Sequence, residues 1–122
     1  MKFMLLCYDD EAYWNRAGGD ALHAAMQQAV GLTHELHAKG QFVDCAPLHP
    51  VSTATSVRVR EGKPVVTDGP FAETREVLGG YYIIDVPSLD EAIEIAGRHP
   101  GAPVGAVEVR PLMELPGLPK GN

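Results

Sequence analysis

Cysteine is scarce: the 122 residues include only Cys7 and Cys45. Two cysteines cannot build a disulfide framework, and no CxxC or zinc-type spacing is present. Reduced, buried thiols in a cytoplasmic protein are the expectation. Positive charge is also in deficit, with ten Lys and Arg against sixteen Asp and Glu and a formal net charge of −6. Such a domain repels phosphate backbones, so no nucleic-acid partner is expected, although a local basic pocket for a small anion is compatible with it. The apolar start Met1 to Tyr8 turns acidic at Asp9. That run is far too short for a signal core or a membrane span, so no membrane partner is expected. No GxGxxG, Walker, HExxH or GxSxG pattern occurs, and no cofactor is implied.

What is present is an ordinary globular composition, 45% hydrophobic and 21% charged. A chain of this length makes one domain and buries roughly 65% of its unfolded surface, enough for a single core. Lys2 to Tyr8 reads as a buried first strand, and residues 9–19 as a loop or short helical turn carrying Tyr13 and Trp14. Asp20 to Lys39 reads as a helix, with Asp20 as its N-cap, Gly40 past its end, and Leu22, Met26, Ala29, Thr33 and Leu36 on one face. Gly31 inside it suggests a close neighbouring backbone. A strand follows at Gln41–Ala46. Ser52–Arg60 alternates with period two, Glu61-Gly62-Lys63 turns, and Pro64–Thr67 returns as a hairpin partner. Gly79–Val86 is another apolar strand, with a bulge suggested by Gly79-Gly80. Ser88 and Glu91 form a capping box for a second helix, and Ala106–Arg110 is the last strand.

The order β-α-β, hairpin, β-α-β is the split βαβ, ferredoxin-like α+β arrangement. Two helices cover only one face of an antiparallel sheet, yet the strands are apolar on both, so a homodimer is expected to cover the other face. The domain is placed at residues 1–114, with residues 115–122 as a flexible, Pro/Gly-rich tail.

Ionisable groups concentrate around Asp68-Gly69-Pro70 and Glu73-Thr74-Arg75-Glu76. Asp68 and Glu73 lie near Val66, Pro70, Phe71 and Leu78, a setting in which a carboxylate does acid–base work. Asp-Gly-Pro is equally good turn chemistry. Arg58, Arg60 and Arg75 suit an anion clamp, and Tyr8, Tyr13 and Trp14 suit an aromatic ligand. Arg58 and Arg60 are equally compatible with a solvated sheet edge. His34 and His37 lie one turn apart, but two ligands without a matching carboxylate leave no metal site to assign. His49 and His99, each followed by Pro, have no visible partner.

The run Val66-Thr67-Asp68-Gly69-Pro70-Phe71-Ala72-Glu73-Thr74-Arg75-Glu76, followed by Leu78-Gly79-Gly80-Tyr81-Tyr82, resembles the hallmark of the YCII-related, DGPF-type family. Lys2–Leu6, Ala54–Arg58, Leu89–Ala92 and Val107–Pro111 match it as well. The resemblance implies a dimeric α/β barrel of ferredoxin-like fold. In the wider group it implies small enzymes acting on aromatic-ring compounds through a His–Asp dyad, and elsewhere neighbours of extracytoplasmic-function sigma factors. The helix position of that histidine holds Ala29 here, so the dyad does not transfer. Two functions therefore stand as expectations. One is a cofactor-independent enzyme or binder of a small aromatic or anionic metabolite, with Asp68 and Glu73 as acid–base groups and Arg58, Arg75 and Tyr8 on the ligand. The other is a non-catalytic sensory or partner domain associated with a sigma factor.

Overall fold

The computed structural model describes residues 1–119. Its elements are β1 (Lys2–Asp9), α1 (Glu11–Ala17), α2 (Gly19–Ala38), β2 (Phe42–Pro47), β3 (Thr55–Arg60), β4 (Lys63–Asp68), β5 (Val77–Asp85), α3 (Leu89–Gly97) and β6 (Ala106–Pro111). A single 3₁₀ turn at Val51–Thr53 leads into β3. The main sheet runs β2-β5-β1-β6, and every neighbouring pair is antiparallel. This is the expected ferredoxin-like order. β3 and β4 stand apart as a two-stranded hairpin.

Period-two geometry sorts the strands. Phe3, Leu5 and Cys7 of β1, Tyr82 and Ile84 of β5, and Phe42, Cys45, Val107 and Val109 at the flanks join Leu32, Leu36, Ala92, Ile95 and Ala96 of the helices in one core. Phe3, Leu5, Leu36, Ile84 and Ile95 are fully buried, and each such side chain stabilises by about 1.5–3 kcal/mol relative to exposure. The opposite face carries Met4, Leu6, Tyr8, Tyr81 and Ile83, all half-buried. Cys7 and Cys45 sit on strands separated by β5. Two inter-strand spacings, about 9.5 Å, exceed the reach of a disulfide, and both thiols are free.

Local expectations are sharpened or changed at four places. Of the loop or short helical turn expected at residues 9–19, residues 11–17 take the helical form, because Asp10 caps it by accepting from the amides of Ala12 and Tyr13. Gly18, with φ +94°, takes the N-cap place of α2 that Asp20 was expected to fill; Asp20 lies in the first turn. Nothing approaches within 4 Å of a Cβ built at Gly31, so no close backbone explains that glycine. Met26 of α2 is exposed while Leu32 is buried. The centre of the apolar stripe is thus rotated toward Leu32, leaving Met26 at its margin. Gly40 does end the helix with φ +70°, and Ser88 Oγ accepts from the Glu91 amide at 3.3 Å. Of the expected tail, residues 115–119 carry no helix or strand, while 120–122 lie outside the described residues.

Candidate functional site

β1 ends in two carboxylates that do different things. Asp10 is buried and takes three donors: the amides of Ala12 (3.1 Å) and Tyr13 (3.3 Å) and the Arg75 Nε (3.2 Å). The Arg75 guanidinium, with help from those amides, holds the Asp10 carboxyl below its ordinary value, against the opposing effect of burial. A carboxylate so fully partnered is structural. Its consequence lies with Arg75, whose Nε is fixed while the rest of the guanidinium faces solvent, 84% exposed.

Asp9 is half-buried and points to the helix-covered side, in line with Phe3, Leu5 and Cys7. Among the described residues its side chain receives one hydrogen bond, a long one of 3.4 Å from the Trp14 indole. Its Oδ2 rests on Gly79, where a side-chain methyl would overlap it. Gly79 is the extra residue of the bulge, since Cys7 pairs with Gly80 and Tyr8 with Leu78. The bulge therefore clears the room that the Asp9 carboxylate occupies.

His99 comes to the same end of the sheet from the other side. It follows α3, and its Nδ1 accepts from the Gly101 amide at 3.0 Å. The neutral ring thus carries its proton on Nε2. A Cβ built on Gly101 would lie 3.1 Å from His99 Nδ1 and 3.4 Å from Asp9 Oδ1, so the two groups flank one glycine. They form no direct ion pair. The Tyr82 ring meets the imidazole edge-on at 5.6 Å. Burial pushes the His99 pKa below its ordinary value, and the nearby Asp9 carboxylate opposes that effect. Cys7 on the same face is pushed up to about 12, chiefly by burial and then by Asp9 and Cys45, which leaves a thiol and not a nucleophile.

The candidate site residues Asp68, Glu73, Arg58, Arg75 and Tyr8 fall in several places; the side-chain partner of Arg75 is Asp10 and that of Tyr8 is Glu108. Asp68 and Glu73 are exposed. The turn after Asp68 is tied to β3: the Gly69 amide donates to the Ala54 carbonyl at 2.7 Å, and Ser56 Oγ donates to the Gly69 carbonyl at 2.8 Å. Gly69 has φ +97°, which suits glycine alone. Arg75 borders a shallow cleft of about 300 Å³ with Asp10, Glu11, Ala12, Val51, Thr74 and Val77. Arg58 borders another, of about 360 Å³, with Ser56, Val57 and Phe71. Neither cleft is lined by Asp9 or His99. Tyr8 lies on the open face, its hydroxyl 3.4 Å from Glu108, and Glu108 also pairs with Arg110. His23, His34 and His37 are exposed, and no group of three or more His, Cys, Asp or Glu among the described residues is arranged to hold a metal. No helix among them is long and apolar enough to cross a membrane.

The fold and this end of the sheet define a ferredoxin-like α+β domain with a hairpin insert and a carboxylate–imidazole pair at the end of its first strand. The family model of the YCII-related domain matches residues 1–116. An uncharacterised protein of Rhizobium meliloti (strain 1021) is 36% identical over 114 residues, covering 92% of each chain. The chain belongs to the YCII-related domain family.

Proposed function

We propose that the chain binds a small anionic metabolite at the end of β1 and exchanges a proton with it. The observation that carries this reading is the condition of Asp9, a half-buried carboxylate with one long hydrogen bond, facing a neutral imidazole across Gly101. Asp10 next to it is saturated and structural; Asp9 keeps lone pairs to offer. In this reading Asp9 is the base, and the Nε2–H of His99 is the donor that steadies charge on the ligand. Arg75, pre-positioned by Asp10 on a neighbouring cleft that neither Asp9 nor His99 lines, is the cation offered to an anion arriving from solvent. Asp68 and Glu73 are exposed, whereas Asp9 and His99 are half-buried, so the proton-handling role is placed on Asp9 and His99. The DGPF turn then serves to seat the segment that ends in Arg75.

We also infer a homodimer. Met4, Leu6 and Ile83 form an apolar centre on the open sheet face that is only half-buried, and a second copy is the simplest further cover.

A panel of small carboxylic acids, with and without aromatic rings, followed by amide and imidazole chemical shifts tests the ligand reading. A binder should move the His99 and Gly101 signals, and Arg75→Ala should weaken it about tenfold, the loss of one charge-assisted contact. An Arg75→Ala chain that binds the same acid as well as the parent contradicts the anchor role. The same holds if bound acids move only signals of the β3–β4 hairpin.

A further inference from the structure

The turn from α3 into β6 closes on a ring nitrogen. The Gly101 amide donates to His99 Nδ1 at 3.0 Å. The Gly101 carbonyl accepts from the amides of Val104 at 3.2 Å and Gly105 at 2.8 Å. Gly101 is buried, and the turn is hinged on it. A backbone amide is a permanent donor, so its bond to His99 needs a ring nitrogen without a proton. The neutral ring, protonated on Nε2, supplies one. A second proton can enter only at Nδ1, the atom that holds the amide. Two N–H groups then face each other, and a sheltered pair of donors does not stay at that distance.

A released imidazolium has an acceptor beside it. The place that a Cβ on Gly101 would take lies 3.1 Å from His99 Nδ1 and 3.4 Å from Asp9 Oδ1. Among the described residues the Asp9 side chain takes only the long bond from the Trp14 indole, so it has lone pairs to give. The other groups around the ring do not compete. Cys7, on the Asp9 side of β1, stays a neutral thiol with its pKa pushed up to about 12. The Tyr82 phenol of β5 is pushed up by burial and meets the ring edge-on. Arg98, the preceding residue, is taken up by Glu35 of α2 and Glu94 of α3. Asp9 is the anion left to pair with the charged ring.

We propose that proton uptake at His99 Nδ1 exchanges its bond to the Gly101 amide for an ion pair with Asp9, so that acid loosens the α3–β6 turn and occupies the carboxylate. The loosening stands on this geometry alone. Its consequence, a proton exchange switched off by acid, rests on the ligand reading above and supplies its regulation. The switch works below the ordinary imidazole value of 6.5, because burial opposes the charge more than Asp9 favours it.

The test uses the full chain without ligand, titrated from about pH 8 down to the onset of acid unfolding, which circular dichroism marks. NMR follows the His99 ring nitrogens, the Gly101 amide and the indole of Trp14, the one tryptophan. One shared midpoint is expected. Through it Nδ1 gains its proton and the Trp14 indole signal moves as Asp9 turns away. The Gly101 and Gly105 amides lose about tenfold in protection, after correction for the intrinsic effect of pH on exchange. His99→Asn is the control, since Asn bonds an amide two residues on and does not titrate; its turn should stay closed through the same range. Should that variant fail to fold, the three parental signals still decide. The proposal is overturned by a His99 that stays neutral until the chain unfolds. It is overturned equally by a Gly101 amide and Trp14 indole that ignore the His99 titration, or by a folded His99→Asn chain that responds as the parent does. A carboxylic-acid panel without a binder, beside three signals sharing a midpoint, would sink the ligand reading and leave the switch standing.

Discussion

Gly105→Ala is expected to lose about 3 kcal/mol or more of stability, a fall in melting temperature on the order of 10 °C. The reason is local. Gly105 enters β6 against the end of β1, and a methyl there would overlap the carbonyl oxygen of Tyr8, with the Tyr8 carbonyl carbon 3.2 Å away. Both are backbone atoms of the central strand, so neither can swing aside. Relief requires β6 to part from β1, where Ala106 pairs with Tyr8 and Val107 with Cys7. It would also break the turn closed by the Gly105 amide on the Gly101 carbonyl at 2.8 Å. That turn holds His99 in place. Thermal denaturation followed by circular dichroism measures the effect. Gly31→Ala is the natural control: it sits in open space inside α2, and helix propensity makes it stabilising by about 1 kcal/mol. Equal melting temperatures for Gly105→Ala and the parent would mean that β6 is not seated against Tyr8 as described.

Gly79→Ala is expected to keep the fold and disable the site. The group that its methyl would overlap is the end of a side chain, Asp9 Oδ2. A side chain can rotate away, so the structural cost is small. The carboxylate, however, must leave the space between Gly79 and Gly101. Trp14 is the one tryptophan, and its indole donates to Asp9 Oδ1, so its fluorescence reports the movement. We expect a changed emission spectrum, near-parental melting, and about a tenfold or greater loss of any ligand response at His99. A Gly79→Ala chain with parental fluorescence and parental ligand response would show that Asp9 does not depend on the bulge.

Much of the architecture could be read from the sequence because it rests on local rules. The alternation in Thr55–Arg60, the Ser88–Glu91 cap and the apolar runs at Lys2–Tyr8 and Gly79–Val86 each encode one element and one face. The hairpin was legible as a hairpin, but not its isolation, since alternation says which residues share a side and not whether anything covers that side. α1 was legible only as a loop or short helical turn because seven residues give too few turns for a periodic signal, although Asp10 before Glu11 was a usable cap. The site was harder. Density of charge singles out Asp68 and Glu73, whereas burial separates a sheltered carboxylate from a solvated one, and burial is a tertiary property. Asp9 had one available signal: counting by twos from Phe3 through Leu5 and Cys7 puts it on the core side. His99 had none, because its approach to Asp9 depends on the turn after α3 returning beside the central strand, a contact ninety residues apart in sequence.

The pairing of Asp9 with His99 is the claim on which the functional reading stands, and titration of the His99 imidazole by NMR tests it most directly. Burial lowers the His99 pKa from its ordinary 6.5 and Asp9 partly restores it. As pH falls through about 6.5, the unfolded chain takes up a proton at this position before the folded chain does. Folded-state stability at this position is therefore fully present above that pH and lost below it. His99 is expected to titrate below its ordinary 6.5 in the parent and lower still in Asp9→Asn, where burial acts without the carboxylate. A His99 that titrates at the same pH with and without the Asp9 charge would contradict the account.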